Sequence, residues 1–293
     1  MNKLNIARAA VPVLGEADAA VVGGSLAGIA CALELAAAGK RVWLVEPRTY
    51  MGRELTATLR PWLAAPEAGA PVPALLAHVL EAQRQAGGAE RLEAASARGV
   101  DAPLHPDALK RSLEDLLEAA GVRFLYATLP VAIARRNGRA SGIVVANKSG
   151  RQLIAAPLVV DATETALCAA LAGEDVSGYA PGAEARYWRT LEFVGAGEDA
   201  WSGGLPAELA VPAEIGIDGG AVRLRPGYRG PGHVYAEFAL TLPRANALDA
   251  ARARELEARR RGMRLAVHLL QREPAFAKAV QSAGSHQLHG PFP

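Results

Sequence analysis

Short runs of consecutive apolar residues dominate the N-terminal part of the chain. Ala19–Val22 and Val42–Val45 are apolar at every position, which is typical of strands buried on both faces of a parallel sheet. Between them, Ile29–Ala38 is rich in helix formers, and Gly39 follows where a helix often ends. The order strand, helix, strand over about 30 residues predicts a βαβ unit.

A helix and an antiparallel meander are predicted farther along the chain. Leucines recur at helical spacing before Gly121, at positions 109, 113, 116 and 117. Three short apolar runs follow, and the dipeptides Asn137-Gly138 and Ser149-Gly150, both hairpin-type turn sequences, separate them. These runs predict the strands of a meander. Leu158–Val160 predicts one more buried strand, which leads into Asp161-Ala162-Thr163.

The pattern changes beyond residue 176. Glycine and proline are frequent between residues 178 and 232, residues 234–242 alternate as in a half-buried antiparallel strand, and residues 247–272 form a long basic helical stretch. We therefore predict an α/β fold with two domains. Residues 1–176 form a Rossmann-like domain with an inserted β-meander, and residues 177–293 form an α+β domain with an antiparallel sheet, predicted to be incomplete.

Composition and charge exclude several classes of protein. With 51% apolar and 21% charged residues the chain is not disordered. A net charge of +2 without a basic block argues against nucleic acid as a partner. The charge-free stretch from Ala19 to Leu33 is too short to span a bilayer, and no secretory signal is visible. Two distant cysteines favour a reducing compartment, so we expect a cytoplasmic protein that does not bind a membrane.

The loop after the first strand carries the strongest chemical signal. A glycine-rich turn between a strand and a helix directs backbone N–H groups and the positive helix end at a pyrophosphate. Ser25 replaces the middle glycine of a GxGxxG pattern, and its hydroxyl is expected to compensate by donating to phosphate. Glu46 follows the second strand, where a carboxylate accepts from ribose hydroxyls. The residues predicted to bind a dinucleotide are Gly23, Gly24, Ser25, Ala27, Gly28 and Glu46.

Three segments of this chain resemble the FAD-dependent oxidoreductase family, which has the glutathione-reductase-type FAD-binding fold. They are AAVVGGSLAGIACALELAAAGKRVWLVEP, YMGRELTATLRPWL and PLVVDATETALCAALAGEDV. The resemblance implies FAD as cofactor, with its pyrophosphate at Gly23–Gly28 and its adenosine ribose at Glu46. It also implies that the chain after the second strand runs toward the flavin, that the meander contacts adenine and that the Ala-Thr pair lies near the cofactor. The residues concerned are Pro47, Arg48, Gly52, Arg53, Thr56, Val131, Ala162 and Thr163.

Two departures from the family pattern affect the expected cofactor site. Glu164 stands where the family usually has glycine, so a carboxylate is expected to crowd the cofactor or repel its phosphates. No Gly-Asp motif of the family's closing C-terminal segment follows Pro274. We therefore expect either a truncated gene product or a partner chain that completes the FAD site, with weak FAD binding by this chain alone.

The leading interpretation is an FAD-dependent oxidoreductase that acts on a small-molecule substrate beside residues 177–293. No polar cluster predicted in that region identifies a substrate class, and no catalytic residue is assigned. An NAD-linked dehydrogenase shares the βαβ fingerprint, but the meander argues against it. A non-catalytic subunit is the third interpretation, favoured by Glu164 and the missing segment.

Cysteine and histidine residues add no further site. Cys168 is expected to be a small buried side chain. No metal site is predicted, because the pair His286 and His289 has no nearby carboxylate or thiolate and is expected to lie in a frayed tail.

Overall fold

The chain folds into two compact units, each built from two separate stretches. Unit 1 comprises Met1–Met51 and Leu113–Tyr179, and unit 2 comprises Gly52–Ser112 and Ala180–Pro293. The computed structural model describes residues 10–63, 74–88, 90, 102–176, 183–197, 208–244 and 248–292. The chain passes between the units three times, and the third crossing, after Tyr179, lies close to the predicted boundary at residue 176. Residues 52–112, predicted in the first domain, group instead with unit 2, where Arg60 forms an ion pair with Glu237.

The secondary-structure elements are as follows. The strands are β1 (Val13–Glu16), β2 (Ala19–Val22), β3 (Val42–Val45), β4 (Trp62–Leu63), β5 (Ala102–Pro103), β6 (Arg123–Leu125), β7 (Leu129–Arg136), β8 (Arg139–Asn147), β9 (Gly150–Ala155), β10 (Leu158–Asp161), β11 (Glu184–Val194), β12 (Glu208–Ala210), β13 (Ala221–Pro226), β14 (Val234–Pro243), β15 (Val280–Gly284) and β16 (His289–Phe292). The α-helices are α1 (Leu26–Ala37), α2 (Arg53–Thr56), α3 (Ala74–Gln83), α4 (Pro106–Ala119), α5 (Leu167–Ala172) and α6 (Leu248–Arg272).

A parallel sheet forms the centre of unit 1. Its strand order is β10-β2-β3-β6, and all three pairings are parallel. Every residue of β2 and β3 is buried, as their uninterrupted apolar runs predict. Helix α1 connects these two strands, so the predicted βαβ unit is confirmed.

The predicted meander is also confirmed and forms a second sheet in unit 1. Strands β7, β8 and β9 pair antiparallel in sequence order. The β7–β8 turn places Asn137 and Gly138 at φ of 52° and 77°, the left-handed region that an Asn-Gly hairpin turn requires. The short strand β1 adds to this sheet parallel to β9 and was not predicted.

Unit 2 is built on an antiparallel sheet with the order β12-β13-β14-β11-β15, and β16 also pairs with β11. Its apolar face packs against α6, with Phe238 and Leu240 of β14 and Leu265 and Leu269 of α6 in one cluster. The mixed α/β fold, with parallel and antiparallel sheets, agrees with the predicted class.

Unit 2 differs from the sequence predictions in three places. The alternating strand at 234–242 was predicted to expose one face, but both faces of β14 are buried along most of its length. Strand β11, the longest strand described, was not predicted, although Ala185, Tyr187, Leu191 and Phe193 show its alternation. The expected frayed tail instead contains β16, because its backbone pairs with β11. None of the described helices combines the length and apolar character needed to cross a bilayer.

Candidate functional site

The turn from β2 into α1 requires glycine at two positions. Gly23 has a φ of +110°, and a Cβ there would lie 2.5 Å from the carbonyl oxygen of Ala162. A Cβ on Gly28 would lie 2.1 Å from the carbonyl oxygen of Gly23. Both obstacles are backbone atoms, which a rotamer change cannot relieve. The glycines therefore allow the helix, the strand and the turn at Ala162 to approach closely.

Ser25 is the N-cap of α1. Its Oγ accepts a hydrogen bond from the backbone N–H of Gly28 at 3.1 Å and donates to the carbonyl oxygen of Ala162 at 3.3 Å. The sequence predicts that this hydroxyl donates to phosphate. In the structure the hydroxyl contacts the neighbouring turn and stabilises the helix start, and its role toward phosphate stays a prediction.

Glu46 is buried beside the glycine turn, with 1% of its surface exposed. Oε2 accepts from the Gly24 N–H at 2.6 Å, and Oε1 accepts from the Arg48 N–H at 2.8 Å and from Arg48 Nη1 at 3.0 Å. A carboxylate has about four acceptor positions, so three are engaged within the chain. Gly24 makes this approach possible, since a Cβ there would lie 3.0 Å from Glu46 Oε2.

Arg48 joins Glu46 to Glu164. Its Nη2 donates to Glu164 Oε1 at 3.0 Å. The carboxylate that replaces the family's glycine is therefore held by a guanidinium that also contacts Glu46. Two acidic side chains share one arginine at this end of unit 1.

The Asp-Ala-Thr turn after β10 caps the next helix. Asp161 Oδ2 accepts from the backbone N–H groups of Cys168 and Ala169, at 2.7 and 3.1 Å. Thr163 Oγ1 donates to Asp161 and accepts from the Leu167 N–H. Burial, with a smaller contribution from Asp161, raises the pKa of the Cys168 thiol to about 12, which agrees with an inert buried side chain.

The predicted cofactor residues divide between the units. The glycine turn brings Gly23, Gly24, Ser25, Gly28, Glu46, Arg48, Ala162 and Thr163 into one region of unit 1. Ala27 is exposed on α1, Pro47 is half-buried, and Val131 lies in β7 with 37% of its surface exposed. Gly52, Arg53 and Thr56 belong to unit 2, where Gly52 starts α2 at a φ of +66°. Their role toward FAD stays a prediction.

A polar cluster that was not predicted lies on the second face of the sheet in unit 2. Strand pairing places Glu237 opposite Thr190, and Tyr235 opposite Glu192. Glu237 is fully buried and forms ion pairs with Arg60 Nε at 2.8 Å and Arg225 Nε at 3.8 Å. The sequence analysis did not indicate this cluster, and the cluster by itself identifies no substrate class. The alternation in β14 was visible, but sequence alone does not show that its polar side is covered.

A buried histidine–glutamate pair extends this cluster. His233 Nδ1 accepts from the Arg229 N–H at 3.0 Å, which assigns the proton to Nε2, and Nε2 donates to Glu192 Oε1 at 2.7 Å. Burial raises the pKa of Glu192, but hydrogen bonds from His233 and Ser282 outweigh it, so the pKa lies below its usual value. Glu192 is therefore ionised.

The residues of the glycine turn fit a dinucleotide diphosphate. The compact turn allows no Cβ at Gly28 and leads directly into a helix of 12 residues, whose N-terminus favours anions. No group of three or more potential metal ligands occurs among the described residues.

Comparison with known proteins adds family information. A sequence profile of the family described as FAD dependent oxidoreductase matches residues 18–187, more than half of the chain. No curated protein matches the chain.

Solved structures share the fold. One is a geranylgeranyl bacteriochlorophyll reductase-like protein from Thermoplasma acidophilum, with a TM-score of 0.56, 13% identity, and coverage of 92% of this chain and 65% of that one. Another is p-nitrophenol 4-monooxygenase PnpA from Pseudomonas putida, with a TM-score of 0.54, 14% identity, and coverage of 92% of this chain and 66% of that one. A third is OxyS anhydrotetracycline hydroxylase from Streptomyces rimosus, with a TM-score of 0.54, 15% identity, and coverage of 92% of this chain and 52% of that one. The chain thus spans less than two thirds of the length of these structures.

Proposed function

The chain belongs to the FAD dependent oxidoreductase family, and on that basis we propose that it is a redox enzyme in which unit 1 holds FAD and unit 2 binds a small-molecule substrate. When bound, FAD supplies the redox chemistry by exchanging hydride with the substrate. Family membership does not specify the reaction or the substrate, so both belong to this proposal. The predicted partner chain stays a prediction.

The glycine turn carries the proposal for unit 1. Gly23 and Gly28 bring the start of α1 against β2, so that backbone N–H groups and the positive helix end face an anionic diphosphate. Glu46 lies at the end of β3, where its remaining acceptor position suits a ribose hydroxyl. Arg48 compensates part of the negative charge that Glu46 and Glu164 bring to the site.

The buried polar face of the antiparallel sheet supports a substrate role for unit 2. Burying a charged side chain costs free energy, and this cost is offset only when the charge is paired with a partner or bound to a ligand. Glu192 and Glu237 are both ionisable and lie on adjacent rows of this face. A face of this kind positions substrate groups and excludes water, which is what a protein contributes to flavin chemistry.

The visible absorbance spectrum of the purified full chain tests the proposal. After incubation with FAD and gel filtration, we expect the spectrum of bound oxidised flavin. Gly28→Ala should lose that spectrum, because the new Cβ collides with the Gly23 carbonyl. Gly262→Ala, inside α6, is the matched control, since a Cβ there makes only ordinary contacts of 3.5 Å or more. Equal flavin retention by wild type and Gly28→Ala would contradict the assignment.

A non-catalytic subunit is the second candidate, and the Glu46–Arg48–Glu164 contacts favour it. Two carboxylates beside a site for an anionic cofactor weaken binding electrostatically. A chain that binds no FAD at concentrations far above those usual for flavoproteins, yet stays folded, would support this alternative. Stoichiometric FAD that a substrate bleaches under anaerobic conditions would exclude it.

A further inference from the structure

Unit 1 has a cleft at the end of its parallel strands that lies away from the glycine turn. Its volume is about 570 Å³, within the range of about 300–1,000 Å³ that is usual for small-molecule sites. The cleft is bordered by the β7–β8 hairpin and by the residues before β3 and β10, Arg41 and Pro157 among them. Strand β2, with four residues at about 3.3 Å each, separates the cleft from the glycine turn.

Small apolar residues form the floor of this cleft. Ala17 and Ala156 are 4% and 1% exposed and belong to the apolar cluster of unit 1. The Ala17 N–H donates to the carbonyl oxygen of Ala155 at 2.9 Å. The Ala156 N–H donates to the carbonyl oxygen of Ser141 at 3.1 Å. Because these backbone groups bond each other, the floor is a fixed apolar surface that suits an apolar part of a ligand.

Two arginines border the cleft at the hairpin. Arg136 ends β7 and Arg139 begins β8, and the strand pairing places them directly opposite each other. Like charges in such a position destabilise a hairpin. Both side chains are exposed, and neither forms a hydrogen bond or an ion pair with another residue that the structure describes. The neighbouring Arg135, in contrast, donates to the carbonyl oxygens of Gly138 and Ala172.

A third arginine of the cleft, Arg41, has its charge balanced. Its guanidinium forms an ion pair with Asp18 at 3.2 Å. Glu16, which also lines the cleft, is close enough to Arg41 to contribute to the raised pKa of that guanidinium. The acidic groups are therefore next to Arg41, and the positive charge of the cleft is concentrated at the hairpin.

We propose that this cleft binds a small organic phosphate, with the phosphate at Arg136 and Arg139 and its apolar part on the alanine floor. A phosphate monoester carries a charge of about −1.5 to −2 at pH 7, which matches two guanidinium groups. Guanidinium groups donate paired N–H bonds to phosphate oxygens. A carboxylate, with one negative charge, would compensate only one of the two arginines. This site is separate from the proposed cofactor site and does not depend on the proposed function.

Ligand-observed NMR titrations of the full chain at pH 7.5 test the proposal. The probes are phenyl phosphate, benzoate, phenol and inorganic phosphate. We expect phenyl phosphate to bind at least tenfold more tightly than phenol, which lacks the anion, and at least threefold more tightly than inorganic phosphate, which lacks the apolar part. Benzoate that binds as tightly as phenyl phosphate would overturn the proposal, and so would equal binding of inorganic phosphate.

A double variant locates the phosphate. Arg136→Gln/Arg139→Gln should weaken phenyl phosphate binding at least tenfold. We expect this variant to fold, because both side chains are exposed and the substitutions remove a repulsion. Arg151→Gln, which removes an exposed arginine of β9 outside the cleft lining, is the matched control and should leave the affinity unchanged. Equal affinities of the double variant and the control would contradict the site.

A bulkier side chain tests the apolar part of the site without changing its charge. Ala140 lines the cleft next to Arg139 and is exposed. Ala140→Leu should lower the affinity for phenyl phosphate to that for inorganic phosphate, which itself should not change. Phenyl phosphate binding that is unaffected by Ala140→Leu would place the aromatic ring elsewhere and reject the cleft.

Saturating FAD distinguishes the cleft from the glycine turn. Because β2 separates the two regions, we expect FAD to leave the affinity for phenyl phosphate unchanged. Displacement of phenyl phosphate by FAD, with the same loss in Gly28→Ala, would place the phosphate at the glycine turn. Binding that depends on Arg136 and Arg139 in a chain that binds no FAD would support the cleft and reject the proposed oxidoreductase.

Discussion

Two fully enclosed glutamates show how differently the two units hold a buried charge. Glu46 in unit 1 accepts from the backbone N–H groups of Gly24 and Arg48 and from the Arg48 side chain. Glu237 in unit 2 has ion pairs with the side chains of Arg60 and Arg225. These partners of Glu46 lie within or directly after one βαβ unit, whereas Arg60 and Arg225 lie 177 and 12 positions away from Glu237 in the chain.

The partners of the two glutamates differ in how freely they can move. Backbone donors in a glycine turn are fixed by the fold and remain in place when a side chain is replaced. Arginine side chains, in contrast, keep rotatable bonds and are ordered by the groups that they contact. We infer that Glu46 belongs to a rigid loop, whereas Glu237 organises side chains that are able to adjust to a ligand.

The largest expected effect is the loss of Glu237. Glu237→Gln removes a buried carboxylate that forms ion pairs with two partly buried arginines, so we expect a loss of about 3 kcal/mol in the free energy of unfolding. Glu46→Gln keeps an amide oxygen for a backbone N–H, and Arg48 keeps Glu164, so the expected loss is about 1 kcal/mol. Urea denaturation measures both. Glu208→Gln, at an exposed position, should change nothing measurable. Equal losses for the two buried glutamates would contradict the comparison.

A smaller effect is expected from the pH dependence of unit 2. Burial, and then the charges of Arg60 and Arg53, lower the pKa of His289 from 6.5 to about 4 in the folded state, so between these values the unfolded chain binds the extra proton. Stability should therefore fall as the pH decreases from 6.5 toward 4. His289→Asn should flatten this part of the profile of unfolding free energy against pH. The exposed His286→Asn is its control, and an identical slope in both variants would argue against the positive potential around Arg60.

The smallest effect is expected at the edge of the cofactor site. Glu164→Gln removes one negative charge near the proposed diphosphate, and its side chain is 31% exposed, so solvent screens much of the repulsion. We expect FAD affinity to rise by up to about fivefold, equivalent to about 1 kcal/mol. Titration followed by quenching of FAD fluorescence measures the change. Glu174→Gln, an exposed carboxylate of the same unit, should have no effect, and weaker FAD binding by Glu164→Gln would reverse the interpretation.

Sequence patterns predicted unit 1 well because its signals are local. The central strands β2 and β3 are continuous apolar runs, the meander is marked by its turn dipeptides, and α4 is marked by its leucine spacing. The patterns failed where a tertiary contact reverses the usual meaning of a residue. Polar residues in β14 normally face water, but here Tyr235 and Glu237 are covered.

The residues themselves determined that a glycine turn follows a buried strand and that Glu46 stands at the end of the next one, because these features depend on neighbours close in the chain. Only the tertiary structure decided how they are used. Ser25 caps α1, and Thr163 accepts a hydrogen bond from the first residue of α5. Arg60 and Arg225 both form ion pairs with Glu237. Hydrogen bonds and ion pairs act over a few ångströms, so their partners are known only once strands and loops from distant parts of the sequence are brought together.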